Sequence, residues 1–577
     1  MQEVTDAIKL LKPNKASGPD GVSPSVFKYL PDSWVNSLTY LFNQVFEGGT
    51  FPKCWTFSKL SVLYKKGNPA LCDNYRGISV MNSIAKLYDM ILGRRLEMWF
   101  TPLREQAGAQ KSRSCEEQIS TLRLAIDIAK SRKEKLFITY VDYTKAYDKI
   151  PRGKLLQVLK QIGCGHKMLR AIANTYGDTS SILGAIIIDA IIGLKQGSPT
   201  SGLLFIIYLN ELVKLYHAKC QDDGFLRWLH CLLLMDDSVL LATSKERAIE
   251  KLQIMADFCR EYGMEMNCAK TKFMVINGSE NDRIDINIGD EFISHCTKYT
   301  YLGAVIHEET SFKQFIEEHV ALKNKNLLKF YSFLNKNVDL PYTLKRRVLE
   351  ACLFSSLIYS CESWYSDKLG KLNTLYMASV KAALGVRESC PNIIALLEGG
   401  FARLSAIIKE RQYRFFKKLI NSRAQLDDDP FMLMLGTARM NNTPASQYID
   451  SILKCTAVSF IDSDMKEMRD HLRQAAGSKF ITYRQINTEL QKHVIYEWNS
   501  ISEFKRLAVT RFRTSSHRLK IETGRWSRIP HERRLCNCGL AEVQDEKHVI
   551  ETCLHLSELK LTFPNLDFRL EAFFDND

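Results

Sequence analysis

Three aspartates stand where apolar neighbours dominate. Asp142 closes the run "KLFITYVD", and Asp236 and Asp237 lie side by side within "LHCLLLMDDSVLLATS". A carboxylate at the end of a buried strand points into a cleft, and like charges gathered there cost on the order of several kcal/mol each unless they are neutralised. Mg²⁺, a hard cation that takes carboxylate and phosphate oxygens, is a natural neutraliser, with Mn²⁺ as a substitute. Two such ions about 3.5–4 Å apart would align a 3′-hydroxyl and a triphosphate for in-line displacement. Taken alone, an Asp-Asp pair reads first as a solvent-exposed hairpin tip.

For the carboxylates to act together, the chain must bring them to one place. Leu136 to Val141 reads as a buried strand that ends at Asp142 and turns into a helix. Asp-Asp-Ser between two apolar runs reads as a β-hairpin with the pair at its tip. If that hairpin lies beside the first strand in one sheet, Asp142 and Asp236 converge. Asp148 is expected on the helix after the strand, in a structural role away from the metals.

Around these segments the pattern is α+β. Residues 1–135 mix helical patterns such as "SIAKLYDMILGRRLEMWF" with loop punctuation such as "NKASGPDGVSP". From 136 to 310 short apolar strand-like runs alternate with helices. Long amphipathic runs then predict a helical lobe over 311–423, a helical linker over 424–504 and a small basic, cysteine-bearing module over 505–577. There is no internal repeat and no low-complexity tract.

With 577 residues, 45% of them hydrophobic, the chain can bury a substantial core. No apolar run reaches the roughly 20 residues of a membrane span. The N-terminus lacks the basic start and apolar block of a secretory signal, which predicts an intracellular, reducing compartment, nuclear or cytoplasmic. The 16 cysteines are therefore read as free thiols or metal ligands. A net charge of +14 favours a polyanionic partner, and ten lysines and arginines crowd between Lys505 and Arg534 against two glutamates. Phe512 and Trp526 interleave with those arginines, a combination that suits single-stranded RNA; a solvated basic helix is the alternative.

Directly after comes Cys536, Cys538, His548 and Cys553, a Cys-x-Cys-x9-His-x4-Cys array. Three thiolates and an imidazole suit tetrahedral Zn²⁺, although the one-residue gap between the first two cysteines is tight and scattered core cysteines remain the alternative.

Eight segments in consistent order resemble the reverse transcriptases of non-LTR, LINE-like retrotransposons. They are "NKASGPDGV", "VLYKKGNPALCDNYRGISVMNSIAKLYDMIL", "QAGAQKSRSCEEQI", "YVDYTKAYDKI" (motif A), "GLKQGSPTSGLLFIIYLNEL" (motif B), "LMDD" (motif C), "GMEMNCAKTKFMVI" (motif D) and "KYTYLGAVI" (motif E). The resemblance implies a right-hand-like polymerase with fingers in 1–135, palm in 136–310 and thumb in 311–423. It implies an RNA template, a DNA primer and deoxynucleoside triphosphates as partners. Asp142, Asp236 and Asp237 would hold the Mg²⁺ pair, and Lys270 would protonate the leaving pyrophosphate. Lys65, Lys66 and Arg76 would clamp the triphosphate, and Gln196 and Gly197 would shape its pocket. Tyr143 and Tyr147 would contact the substrate, Tyr147 walling off the sugar 2′ position. Tyr301, Leu302 and Gly303 would form the primer grip. Cys536, Cys538, His548 and Cys553 would bind Zn²⁺ in an RNA-contact module.

Two departures from the family pattern stand out. Leu234 and Met235 replace the usual aromatic and alanine before Asp-Asp, and "QAGAQ" lacks the usual Phe-Arg. The rival to an active polymerase is accordingly a degenerate or domesticated element that binds RNA; a palm polymerase making RNA is the third reading. No endonuclease is legible, so target nicking would come from elsewhere, or the sequence is a fragment of a longer reading frame.

Overall fold

The computed structural model describes residues 1–308, 312–423, 426, 428–455, 459–498 and 500–574. It divides into two compact units, one of residues 1–309 and 423–443, the other of 310–422 and 444–577. The boundary read from the sequence at 310/311 falls on residues outside those described, and the one at 423/424 falls between Arg423 and a residue outside them. Part of the segment read as a linker, the helix Pro430–Met440, belongs to the first unit. Among the described residues no helix is long and apolar enough to cross a membrane.

The strands lie in the first unit: β1 (Phe57–Tyr64), β2 (Tyr75–Met81), β3 (Leu136–Val141), β4 (Thr179–Leu183), β5 (Ile186–Ala190), β6 (Cys231–Leu234), β7 (Asp237–Ala242), β8 (Lys272–Ile276), β9 (Ile286–Ile288), β10 (Glu291–His295), β11 (Lys298–Tyr301) and β12 (Ala304–His307). They form a four-stranded sheet ordered β2-β1-β4-β5, a six-stranded sheet ordered β6-β7-β3-β8-β10-β9, and the hairpin β11-β12. β3 is central in the six-stranded sheet, and all six of its residues are buried. A strand covered on both faces favours apolar side chains, which is why "LFITYV" runs to Asp142 with only Thr139 and the Tyr140 hydroxyl as polar groups. β7 pairs antiparallel with both β6 and β3, with Leu234 opposite Asp237 and Val141 opposite Ser238.

Two helices pack on this sheet. Ser201–Lys219 is apolar around most of its circumference, as a helix inside a core must be, and Leu204 to Leu209 are wholly buried. Lys245–Tyr262 begins where the Ser244 side chain accepts the Arg247 N–H and ends at Gly263, whose φ of 65° is the left-handed stop glycine allows.

The helix Cys115–Arg132 lies against β6 and β8, and the helix Pro430–Met440 packs on it in turn. Four buried charges fasten that last contact. Arg423 binds Glu117 through two parallel hydrogen bonds of 2.6 and 2.7 Å, and its Nη1 also reaches Asp429 at 3.1 Å. Arg113 completes the ring at 3.0 Å from Asp429 and 3.1 Å from Glu117. All four side chains are at most 6% exposed.

The named elements of the second unit are helices, in keeping with the amphipathic runs that follow "KYTYLGAVI", and an isolated antiparallel bridge joins Leu535 to Val543. Its core gathers Trp364, Tyr376, Tyr483 and Tyr496. There the buried Glu398 carboxylate accepts from Arg513 Nε at 2.7 Å and from the Tyr483 and Tyr496 hydroxyls at 2.8 and 2.9 Å.

Candidate active site

A cavity of about 920 Å³ opens in the first unit, lined by residues of β2 and of the loops that follow β1, β3 and β6. Asp142 enters it one residue past β3. Its backbone is fixed on both sides, the N–H donating to Thr271 Oγ1 at 3.2 Å and the C=O accepting from Asn267 N–H at 2.7 Å. The same turn delivers Lys270, whose Nζ lies 3.5 Å from Asp142 Oδ2. Asp236 reaches the cavity from the two-residue loop between β6 and β7. Asp237 opens β7 and does not line the cavity. Its charge acts instead on Tyr299 and Tyr301 of the β11–β12 hairpin.

The three carboxylates are close enough to feel one another. Packing around the Asp237 carboxyl, followed by the charges of Asp236 and Asp142, pushes it up to about 6, even though the residue stays accessible to solvent. An unfolded aspartate titrates near ~3.9, so between about pH 4 and 6 the folded chain binds more protons than the unfolded one. Asp237 therefore supports the metal-free fold below pH 4, and that support is lost as pH rises through 6. Denaturation midpoints in chelator should show wild type losing ground to Asp237→Asn across this window; parallel curves for the two would contradict the assignment.

The four-stranded sheet contributes the cations. Lys65 follows β1, its N–H bonded to Asn74 O at 2.8 Å, and Arg76 sits on β2 opposite Leu63. Both line the cavity, whereas Lys66 is exposed and does not. Tyr147 lines it with its ring stacked on Phe205, centroids 4.4 Å apart and 8° from parallel. Burial and the charge of Asp236 raise its phenol, so the hydroxyl stays neutral. Gln196 donates to Asp148 Oδ1 at 3.1 Å, and its carbonyl accepts the Ser79 N–H at 2.7 Å. Gly197 has φ 114°, and a Cβ there would lie 2.8 Å from Ser79 O, so glycine alone fits this approach.

Several placements differ from the sequence expectations. No helix follows β3 directly: residues 144–149 form turns, with Thr144 N–H bonded to Glu265 O and Lys145 at φ 49°, and the helix starts at Arg152. Asp148 consequently faces the cavity beside Gln196. Tyr143 lines the cavity with the little surface it exposes, but it is 93% buried and its hydroxyl meets Met255 Sδ at 3.3 Å, away from the cavity. Tyr301 is also buried, against Tyr140, and the tip of its hairpin is Leu302 (φ 47°) and Gly303 (φ 81°). Asp89 carried no sequence signal beyond a helical pattern. It is buried under the 196–201 loop, where its carboxylate accepts from the Ser198 and Thr200 hydroxyls.

In the second unit, Cys536, Cys538, His548 and Cys553 place one ligand atom each within 4.8 Å of all the others. The Cys536 and Cys553 sulfurs are 3.8 Å apart, and Cys538 Sγ is 3.4 Å from His548 Nε2. On its far side the imidazole bonds Glu542 Oε2 at 2.6 Å. The basic stretch is more structural than its composition suggests. Arg506 is buried against Glu503 and Arg513 against Glu398, and Phe512 packs into an apolar cluster with Ile486, Ile550 and Leu570. Trp526 remains 46% exposed, with the Arg387 guanidinium 3.7 Å from its ring centroid. Partial burial, then the charges of Arg518 and Arg511, lower Arg387 from its ordinary value.

Residues 63–306, which hold the cavity and its carboxylates, match the family model of reverse transcriptase (RNA-dependent DNA polymerase). The chain carries a reverse transcriptase domain, with the polymerase fold and α+β content this entails. It is 22% identical over 410 residues to the probable RNA-directed DNA polymerase from transposon BS of Drosophila melanogaster, covering 68% of this chain and 45% of that protein. It is also 22% identical over 402 residues to the RNA-directed DNA polymerase from mobile element jockey of Drosophila funebris, covering 66% and 43%. To the retrovirus-related Pol polyprotein from type-1 retrotransposable element R2 of Nasonia vitripennis it is 25% identical over 309 residues, covering 50% and 29%. The chain thus spans less than half the length of these curated relatives.

Proposed function

We propose that the chain is the RNA-directed DNA polymerase of a non-LTR retrotransposon and extends a DNA 3′ end on an RNA template. The observation that carries this reading is the convergence of Asp142 and Asp236 in one cavity, with Asp237 beside them, within the reverse transcriptase domain. The four-stranded sheet with the N-terminal helices would serve as fingers, the six-stranded sheet as palm and the helices of 311–423 as thumb.

Asp142, Asp236 and Asp237 would hold a pair of Mg²⁺ ions: Asp142 and Asp236 line the cavity, Asp237 adjoins them, and carboxylate oxygens suit a hard cation; the pair would supply alignment of the 3′-hydroxyl and neutralisation of the triphosphate. Lys65 and Arg76 line the same cavity as Asp142 and Asp236 and would hold the triphosphate oxygens, with exposed Lys66 joining once nucleotide is present. Tyr147, held flat by Phe205, would press on the sugar 2′ position and favour deoxynucleotides. Lys270, 70% exposed, would hand a proton to the departing pyrophosphate. The tip of the β11–β12 hairpin would bear on the primer backbone. Synthesis primed on a chromosome would place this work in the nucleus.

The Cys and His cluster fits Zn²⁺. A tetrahedron with Zn–S bonds near 2.3 Å has edges of about 3.8 Å, the separation of the Cys536 and Cys553 sulfurs, and a carboxylate behind the imidazole is the usual support for a ligating histidine. Zinc there would fasten the end of the second unit, and Arg387, Arg518 and Trp526 would give RNA its phosphate and base contacts. Cys538→Ser is expected to lower bound zinc and RNA affinity together. Metal analysis that finds no zinc in the wild-type chain would remove this part.

Primer extension on an RNA template by the purified chain tests the polymerase reading, with Asp236→Ala as control. Template-dependent product from deoxynucleotides that vanishes in the variant is expected. RNA binding without product would leave the RNA-binding module, and preferred ribonucleotide incorporation would leave an RNA-making enzyme.

A further inference from the structure

The loop that carries Asp236 is under unusual constraint. Met235 and Asp236 are its two residues, and Met235 has φ 58°, a left-handed conformation that a non-glycine side chain resists. Something must hold the loop in it. Gln106, 129 residues earlier in the chain and fully buried, supplies one carbonyl oxygen, Oε1, that accepts the Met235 N–H at 3.0 Å and the Gly108 N–H at 2.8 Å. Both neighbours are donors, which fixes the orientation of the amide.

The backbone around Gln106 is as tightly placed. Leu233 N–H donates to Glu105 O at 2.9 Å and Ala107 N–H to Leu233 O at 2.8 Å, so residues 105–107 run as an extra parallel strip along β6. At Gly108 a Cβ would lie 2.6 Å from the Met235 nitrogen, leaving no slack on that side.

We propose that Gln106 is the positioning residue for Asp236: its side-chain carbonyl locks the left-handed Met235 loop and so aims the carboxylate into the cavity. The proposal rests on the polymerase reading above for its consequence in rate, and on geometry alone for its mechanism. Gln106 has no exposed surface with which to touch template, primer or nucleotide, so its effect passes through Met235. A glutamate in its place keeps an acceptor at the same reach. A leucine keeps the volume and removes the acceptor, leaving a buried N–H without a partner.

The experiment uses the full chain as wild type, Gln106→Leu, Gln106→Glu and Gly108→Ala. It reads hydrogen exchange of the Met235 amide, Mn²⁺ affinity measured against Asp236→Ala, and primer-extension kinetics. Gln106→Leu is expected to speed exchange at Met235 by at least about tenfold while the helix Ser201–Lys219 keeps its protection. It should weaken Mn²⁺ binding and lower kcat by about 10², with KM for deoxynucleotide little changed. Gly108→Ala should show the same losses, and Gln106→Glu should restore amide protection. Wild-type exchange and Mn²⁺ affinity in Gln106→Leu would overturn the proposal. So would equal losses in the Leu and Glu variants, or global loss of protection in Gln106→Leu, which would make the residue a folding one. Should wild type itself make no product, the polymerase reading fails while exchange and Mn²⁺ affinity still decide the positioning claim.

Discussion

Asp142→Asn is expected to cut RNA-templated DNA synthesis by at least about a thousandfold and, at the same time, to make the metal-free chain harder to unfold. A thousandfold loss corresponds to about 4 kcal/mol of transition-state stabilisation. That is a reasonable loss for a group that would hold a cation against both the attacking and the leaving oxygen. The gain in stability has the same origin. Asp142 is one of the two like charges that help raise Asp237 to about 6, so removing it relieves repulsion that the empty cluster must otherwise sustain. The Lys270 contact given up in exchange is long and solvent-exposed, and exposed pairs contribute little. Activity assays paired with denaturation in chelator check both halves. Lower activity with lower stability would mean that Asp142 holds up the strand end and that the cluster is not electrostatically strained.

Arg423→Ala should be the most destabilising single change in the first unit, by about 3–5 kcal/mol. It leaves Glu117 and Asp429 buried with Arg113 as their remaining partner, and Glu117 loses two parallel hydrogen bonds. Replacing the pair together, Arg423→Met with Glu117→Leu, keeps the volume apolar and leaves Arg113 matched to Asp429. That double variant is expected to recover much of the loss, because removing both buried charges avoids an unpaired one. Urea denaturation followed by limited proteolysis of the helix Pro430–Met440 reads the effect. Unchanged midpoints for Arg423→Ala would show that apolar packing alone holds this helix.

The parts of the site that a sequence can reveal are those set by local pattern. β3 was legible because burial on both faces demands an unbroken apolar run, and the β6–β7 hairpin because a polar pair interrupts one. Asp148 was not, because its placement depends on a pairing between Thr144 and Glu265 that overrides the local preference for helix. Gln106 was legible only as part of a family motif, since its partner is 129 residues away. The basic stretch misled for a different reason. Charge counts treat every arginine as solvated, yet Glu503 three residues before Arg506 was a readable sign of an internal pair, whereas Glu398 for Arg513 was not. The division into units escaped sequence reading because nothing in "PFMLMLGTARM" says which core its apolar residues enter.

The return of residues 423–443 to the first unit also bears on how the protein is made. Glu117 waits for a partner 306 residues downstream, and the helix Pro430–Met440 leaves the ribosome only after all of the second unit's first segment. At roughly 5–20 residues per second, the helix Cys115–Arg132 stays uncovered for about 7–27 s after residue 309 has been added. During that interval its buried acid has no guanidinium from Arg423 and its apolar face is open to chaperones. Cotranslational folding of the polymerase domain therefore cannot finish in chain order, and a ribosome stalled before residue 443 would hold a domain that lacks its last support.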